Sequence, residues 1–542
     1  LIVVGSANGH FTTSDCFQSA CAAVNELLKS KGKKVRRKSY PLASDLEYNI
    51  SPLWAVESNK RAWLDFQNDV TTKDIKQSVD ENFRSVEHMK RYTTQGMATD
   101  QGKGSNVIAI ALLADASGET IERTGTTTFR PPYTPIPIAA IGSSGRDKGF
   151  APERLSTTHA ASMKLAAPMI EAGLWYRPSY YPKIGENNWL QACNREVLNV
   201  RQSVGICDVS TLGKIEFHGK DAAKFLDFVY TNSFGSLAVG RVRYGLMLRE
   251  DGFIMDDGTS ARISENSYLM TTTTAAAGTV MRHLDFIHQA YCPKLHVRFV
   301  SVTEQWAQFS VSGPKSLDII SSVVDEPFNE KDWPFMSYGE VKVMGIKARL
   351  FRISFSGELG YELAIPSRFG GSLFDLLRLE AEQRGGGVYG MEAMNVLRLE
   401  KGFITHAEID GRATAYDVGM QKMVSEKKDF IGCKMAQRPG LLDPNRERLV
   451  GLKTNGPQST LTAGSLLYNT DDELLADNSQ GHISSVAFSP IENCYIGLAF
   501  VKRGPERWGE KIKAVNFLTN TDLNCEICSP IFYDPDGKKI RA

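Results

Sequence analysis

Asp256 and Asp257 stand side by side in VYTNSFGSLAVGRVRYGLMLREDGFIMDDGTSARI, residues 229–263, and adjacent carboxylates can accept donors or move protons. Tyr244, Leu246 and Leu248 alternate with Gly245, Met247 and Arg249, the period of a half-buried strand. Glu250, Asp251 and Gly252 read as a hairpin turn, and the return strand, Phe253 to Met255, runs into the pair. Successive strand side chains point to opposite faces, so at most one carboxylate follows the outward face and the other points inward. An inward carboxylate needs a donor or a ligand, because an unpaired buried charge is costly. On spacing alone the alternative stays open that one Asp caps the following turn. Thr271 to Thr274, at a strand end before a helix predicted over Ala275 to His288, offer exposed hydroxyls that either cap that helix or face a polar heterocycle.

Such groups need a scaffold, and 542 residues allow two to four domains at about 100 to 200 residues each. The 63 basic residues balance 62 acidic ones, so nothing in the total favours nucleic acid or an anionic membrane. Nine cysteines are scattered, as befits a reducing cytoplasm rather than a disulfide framework. Cys525 and Cys528 form a CxxC with no second pair and no nearby histidine, so no metal site is expected. There is no apolar run of about 18 residues, and hence no expected membrane span. The chain opens on Leu1 in an apolar run that reads as a core strand, and is expected to be a fragment whose natural start lies upstream.

LIVVGSANGHF reads as a short buried strand and glycine turn, and residues 14–31 as a helix in which Phe17, Ala20, Cys21, Val24, Leu27 and Leu28 recur at helical spacing. This is half of a dinucleotide-binding unit, without a GxGxxG. The basic run at 31–38 reads as a solvated linker. Residues 63–106 carry an N-cap at Thr71 or Thr72, one helix, a turn and a second helix through Val86 to Tyr92. TGTTTFRPPYTPIPIAAIG, 124–142, is Thr-rich then Pro-rich and is expected to be extended, not helical. A helix is predicted over 189–203, and short strands from 435 onward.

Several motifs then share one order. The Asp-pair stretch, VRQSVGICDVSTLGKIEFHGKDAAKFLDFVYTN at 200–232, SVSGPKS, SFSGELGYELAIP at 354–366 and GMEAMNVLRLEKG at 390–402 together resemble the aminomethyltransferase family, the glycine-cleavage T-protein and its relatives. GlyLeuTrp at 173–175, Pro178 and Tyr180 match that family's opening, and the tail resembles its closing β-barrel. The resemblance implies a folate site. Glu362 is its pterin carboxylate, accepting two parallel hydrogen bonds, with Glu358 as competitor; Asp256 is the acid-base residue near the bridging nitrogen. Tyr244 walls the cavity, Thr271 and Thr273 lie at a folate-contacting strand end, and Arg398 approaches the pterin. For Arg398 a salt bridge to Glu400 or Glu392 is the alternative. The chain departs from the family at Phe355, where a Tyr is usual, and at Glu392, Ala393 and Met394, where an Ala-Arg-Asp is usual. The second loss removes an Arg-Asp pair, so a lipoyl-protein partner is not expected.

The helix pair resembles a module that elsewhere carries a two-iron cluster on paired cysteines; here Asp65, Gln67, Asp100 and Ser105 stand in those places, so a docking piece without a cluster is expected. With the TTTFRPPYTP connector, the whole order resembles the α chain of heterotetrameric sarcosine oxidases. The implied fold class is α+β multidomain: the end of an α/β dinucleotide-binding domain (1–35), a cluster-less helical module and connector (36–145), a folate-binding domain (150–435) and a C-terminal β-barrel (436–542). The implied function is to bind tetrahydrofolate and capture the one-carbon unit released from sarcosine, giving 5,10-methylenetetrahydrofolate, glycine and hydrogen peroxide. The implied setting is cytoplasmic, with β, γ and δ subunits, NAD in an upstream region, and FAD and FMN in or at the β subunit. A stand-alone aminomethyltransferase, a dimethylglycine-type enzyme and a non-catalytic folate-binding scaffold remain the alternatives.

Overall fold

The computed structural model describes residues 2–35, 43, 51–131, 136–142 and 153–542. The end of the basic run, the centre of the connector and the expected boundary near 150 lie outside these residues. Two compact units result, Leu1–Arg146 and Asp147–Ala542.

In the first unit the helix Thr13–Ser30 forms as its periodicity predicts, with the Thr12 hydroxyl accepting from the Asp15 N–H at 3.0 Å. The strand expected before it does not. Residues 2–4 join no ladder among the described residues, Ile2 and Val3 are exposed, and the helix buries none of its own side chains. An apolar run becomes a core strand only when a neighbouring strand completes its hydrogen bonds. Further on, β1 (Trp63–Asp65) pairs with β2 (Val70–Thr71). The helix Thr72–Asp80 starts from a capping box between Thr71 and Asp74, and Val86–Thr93 follows. Ile75, Val79, Met89 and Leu113, the last from the helix Asn106–Ser117, close the module's small core. Asp65 is buried, and its carboxylate accepts from the N–H groups of Gln67 (2.9 Å), Asn68 (3.3 Å) and Gly96 (2.8 Å). The connector region is not wholly extended: Ile138–Ile141 makes one helical turn, capped by Pro137, which as an N-cap gives up no helical hydrogen bond.

The second unit begins with β3 (Arg154–Leu155), β4 (Met169–Ala172) and β5 (Trp175–Pro178), a small sheet ordered β3-β5-β4. Next come β6 (Gly205–Asp208), β7 (Gly213–His218), β8 (Val242–Leu248), β9 (Ile254–Ser264), β10 (Ser267–Thr272) and β11 (Arg298–Ser301). After these come β12 (Trp306–Ser312), β13 (Tyr338–Val343), β14 (Ile346–Phe351), β15 (Gly360–Pro366) and β16 (Gly387–Val388). They form a five-stranded sheet, β11-β7-β10-β9-β8, and a six-stranded one, β13-β14-β15-β12-β6-β16. Val242, Ala261 and Leu269 of the first pack with Phe351 and Ala364 of the second, so the sheets lie face to face. Their outer faces are covered by helices, Ala222–Val229 and Ala277–Ala290 on one side and Ser316–Val323 and Gly370–Gln383 on the other.

The final strands, β17 (Glu447–Lys453), β18 (Leu466–Asn469), β19 (Gly481–Ser489), β20 (Cys494–Lys502), β21 (Lys511–Asn516) and β22 (Thr521–Cys528), close a six-stranded barrel. Val450, Leu452, Ile483, Val501, Ile512 and Ile527 fill it. The molecule is therefore a mixed α+β multidomain protein ending in a β-barrel. All nine cysteines are free, and among the described residues no helix is long and apolar enough to cross a membrane.

Candidate functional site

The hairpin forms as the alternation predicts, with two differences. β9 does not stop at the Asp pair but runs through it to Ser264, so neither Asp caps a turn. Nor is the strand half-buried: Leu246, Met247 and Leu248 are all buried, because a sheet covers one face and helices the other. Gly252 turns the chain at φ 90°, and the Arg249 N–H donates to the Phe253 carbonyl at 2.9 Å. A Cβ at Gly258 would lie 2.1 Å from the Thr271 carbonyl oxygen, so glycine after the pair lets β9 and β10 close.

Register then sorts the side chains. Asp257 pairs with Leu246, Thr259 with Tyr244, and Thr271 with Lys214, which places Tyr244, Asp257, Thr259, Thr271 and Lys214 on the face that meets the second sheet. The Tyr244 hydroxyl donates to Asp257 Oδ2 at 2.6 Å. Asp256 pairs with Met247 and takes the opposite face, where the Thr273 N–H donates to its Oδ2 at 3.2 Å. Burial pushes the Asp256 carboxyl up to about 6. Asp257 is pushed up to about 7 by burial first, then by the charge of Asp256, with the Tyr244 hydrogen bond opposing. Thr271 is not the exposed hydroxyl of the sequence reading: its Oγ1 accepts from the Thr259 N–H (3.1 Å) and donates to the Thr259 carbonyl (3.1 Å), stitching β9 to β10.

Across the gap, Ser310 of β12 pairs with Glu362 of β15, and both point toward the first sheet. Glu362 is buried. Its Oε2 accepts from Gln308 Nε2, and among the described residues it has no ion pair. Burial raises its carboxyl above the ordinary range, opposed by Gln308 and by the charge of Lys214. Lys214, buried too, donates to the carbonyls of Ser210 (2.9 Å) and Leu212 (3.1 Å), and burial brings its ammonium down to about 8. Arg177 of β5 is a further buried cation; it reaches the Asp208 carbonyl at 3.4 Å, and its Nε has no partner among the described residues.

Glu358 is committed elsewhere. It takes Arg201 at 3.1 Å and the Tyr533 hydroxyl at 2.6 Å, in a buried cluster completed by Glu400 against Arg201 at 2.5 Å. Arg398 pairs with Glu408 at 3.0 Å, not with Glu400 or Glu392 as the spacing suggested. Glu400 is turned to Arg201, and Glu392 accepts from Ser179. All five Arg398 N–H groups are used, by Glu408, the Phe403 carbonyl, Asn395 twice and Ser485 of the barrel. Phe355 stacks on Phe403 with ring centroids 5.6 Å apart. Sequence reasoning raised Asp257 as one of the adjacent pair but gave it no role, and it passed over Lys214, Gln308 and Glu408. The face of Asp257 follows from continuing the alternation through the pair, and Lys214 from noticing a Lys among apolar strand residues; Gln308 and Glu408 carry no local signal.

The comparisons agree with this architecture. The GCVT N-terminal domain description matches residues 158–428, the glycine cleavage T-protein C-terminal barrel domain 447–534, and the sarcosine oxidase A3 domain 59–145. Sarcosine oxidase subunit alpha of Rhizobium meliloti is 47% identical over 91% of this chain and 50% of that protein. The Corynebacterium sp. (strain U-96) protein of the same name is 38% identical over 90% of this chain and 52% of its own. An aminomethyltransferase of Thermotoga maritima is 27% identical over 63% of this chain and 87% of that one. The solved glycine cleavage system aminomethyltransferase T of Bartonella henselae superposes with TM-score 0.61 at 20% identity, over 71% of this chain and 99% of that chain, and so shares the fold. The chain spans about half the length of the sarcosine oxidase relatives it matches. On these matches it belongs to the glycine cleavage T-protein family, as a member like the α subunit of sarcosine oxidase.

Proposed function

We propose that residues of the face-to-face sheets bind tetrahydrofolate, and that the chain serves as the one-carbon-capturing part of a sarcosine oxidase. The observation that carries this reading is Glu362, a buried carboxylate held only by a neutral amide, which suits the donor edge of a reduced pterin. Bound tetrahydrofolate would supply the nitrogens that accept a one-carbon unit. The chain's own part on the inner face is to orient the pterin at Glu362 and to wall the cavity with Tyr244; Asp256, on the opposite face of β9, would hold or release a proton at Oδ2 from the strand end beside Thr273 rather than from that inner face. Thr273 fixes Asp256 through its backbone N–H, Thr271 fixes the strand end, and Arg398 holds Glu408, whose charge helps keep Asp257 protonated.

In this reading residues 1–35 end a dinucleotide-binding domain, 36–145 form the cluster-less docking module and connector, and 150–435 and 436–542 are the folate and barrel domains. NAD, FAD and FMN, and the β, γ and δ subunits, belong to the rest of a cytoplasmic assembly that oxidises sarcosine to glycine and hydrogen peroxide. The A3 match and the T-protein match on one chain favour this over a free-standing transferase. The test is to supply the assembled enzyme with methyl-labelled sarcosine and tetrahydrofolate and follow the label by NMR. Label in 5,10-methylenetetrahydrofolate is expected; label released only as formaldehyde would refute the reading.

A further inference from the structure

Gln308 is 1% exposed, and its amide has two ends with different fates. Nε2 donates to Glu362 Oε2, which fixes the orientation of the amide, since a carboxylate oxygen accepts from the NH2 end and repels the carbonyl end. Oε1 is the end that does not contact Glu362, and among the described residues it has no donor. A buried carbonyl oxygen without a partner forfeits its hydrogen bond to water and gains none in exchange. Gln308 sits on the face that meets the first sheet, beside Ser310 and Glu362, so the vacant acceptor lies on the same inner face as the carboxylate.

We propose that Gln308 is a ligand-reading residue that makes a composite acceptor with Glu362, recognising a heterocycle whose exocyclic amino group has two diverging N–H bonds. This rests on the folate reading and deepens it. A carboxylate alone can take the ring N–H and one N–H of a 2-amino group, and leaves the second N–H of that group unused. Gln308 Oε1 takes that second N–H. The amino group then spans Glu362 and Gln308, and both buried groups are satisfied only when it is present. The pair selects 2-amino heterocycles over analogues that lack the amine, because the analogue leaves Oε1 without a donor and the Glu362 oxygen half-served.

The experiment is calorimetry on the 542-residue chain, with tetrahydrofolate and its 2-desamino-2-methyl analogue titrated into wild type, Glu362→Ala and Gln308→Met. Gln308→Met is expected to weaken tetrahydrofolate about tenfold and to leave the analogue within about twofold of wild type. Equal affinity of wild type and Gln308→Met for tetrahydrofolate overturns the proposal. An equal loss on both ligands also overturns it, since Gln308 would then only orient Glu362. If Glu362→Ala abolishes binding while Gln308→Met does not weaken it, the folate reading stands and this inference falls; wild type that binds neither ligand sinks both. Should Gln308→Met fail to fold, Gln308→Asn withdraws the acceptor by one methylene, and the same comparison between the two ligands decides the matter.

Discussion

At Asp256 and Asp257, one strand's alternation sends two neighbouring carboxylates to opposite faces, and the packing on both sides lifts both above the ordinary carboxylate range. The folded chain therefore holds protons that the unfolded chain releases, and between about pH 4 and pH 7 these groups contribute less to stability as pH rises. Asp257→Asn removes a charge whose cost grows through that window and is full above it. It is expected to stabilise the chain by about 1–3 kcal/mol at pH 8 and by almost nothing near pH 4, read by urea unfolding at the two pH values. A gain that grows toward acid would show that Asp257 is ionised and well paired. Asp256→Asn keeps the shape and removes the proton traffic, so tetrahydrofolate binding should stay within a few-fold while one-carbon capture in the assembled enzyme falls by about a hundredfold. Indifference of capture to that change would favour a folate-binding scaffold.

Among the elements, what the sequence discloses is set by how local the cause is. The helix pair of residues 63–106, its Thr71 cap, the hairpin at 250–252 and the barrel strands follow from periodicity and turn chemistry, and were legible. That residues 2–4 join no ladder among the described residues was not legible, because a strand depends on a neighbour that local pattern does not reveal. Arg398 failed for the same reason: helical spacing nominated Glu400 and Glu392, but its partner Glu408 sits in a loop and its Ser485 comes from β19 of the barrel. That pair ties the helix Met391–Glu400 to the barrel. Arg398→Met should cost about 3–5 kcal/mol by leaving Glu408 buried and unpaired, and Arg398→Met with Glu408→Gln should recover much of it, both read from chemical unfolding. In the helical module, Asp65 gathers three backbone N–H groups where related modules are read to hold a thiolate. Asp65→Asn should speed amide exchange across 63–117, by an opening free energy lowered by about 1–3 kcal/mol.

Across the whole molecule, a family resemblance carried in short motifs anticipated the mixed α+β fold and the closing barrel, and it singled out Glu362 over Glu358, which the structure turns to Arg201 and Tyr533 instead. It could not anticipate which buried atoms are left without partners, since that depends on how two sheets face each other. Glu362 and Gln308 lie on β15 and β12, 54 residues apart in sequence, and meet only once those strands pair. The central claim is that this inner face binds the pterin of tetrahydrofolate. The most direct measurement is titration of tetrahydrofolate into the chain, wild type beside Glu362→Ala. Loss of two charge-assisted hydrogen bonds should cost roughly 3 kcal/mol, about a hundredfold in affinity. Binding by wild type that Glu362→Ala abolishes or weakens on that scale is the predicted result; equal binding by both, or none by wild type, would contradict the account.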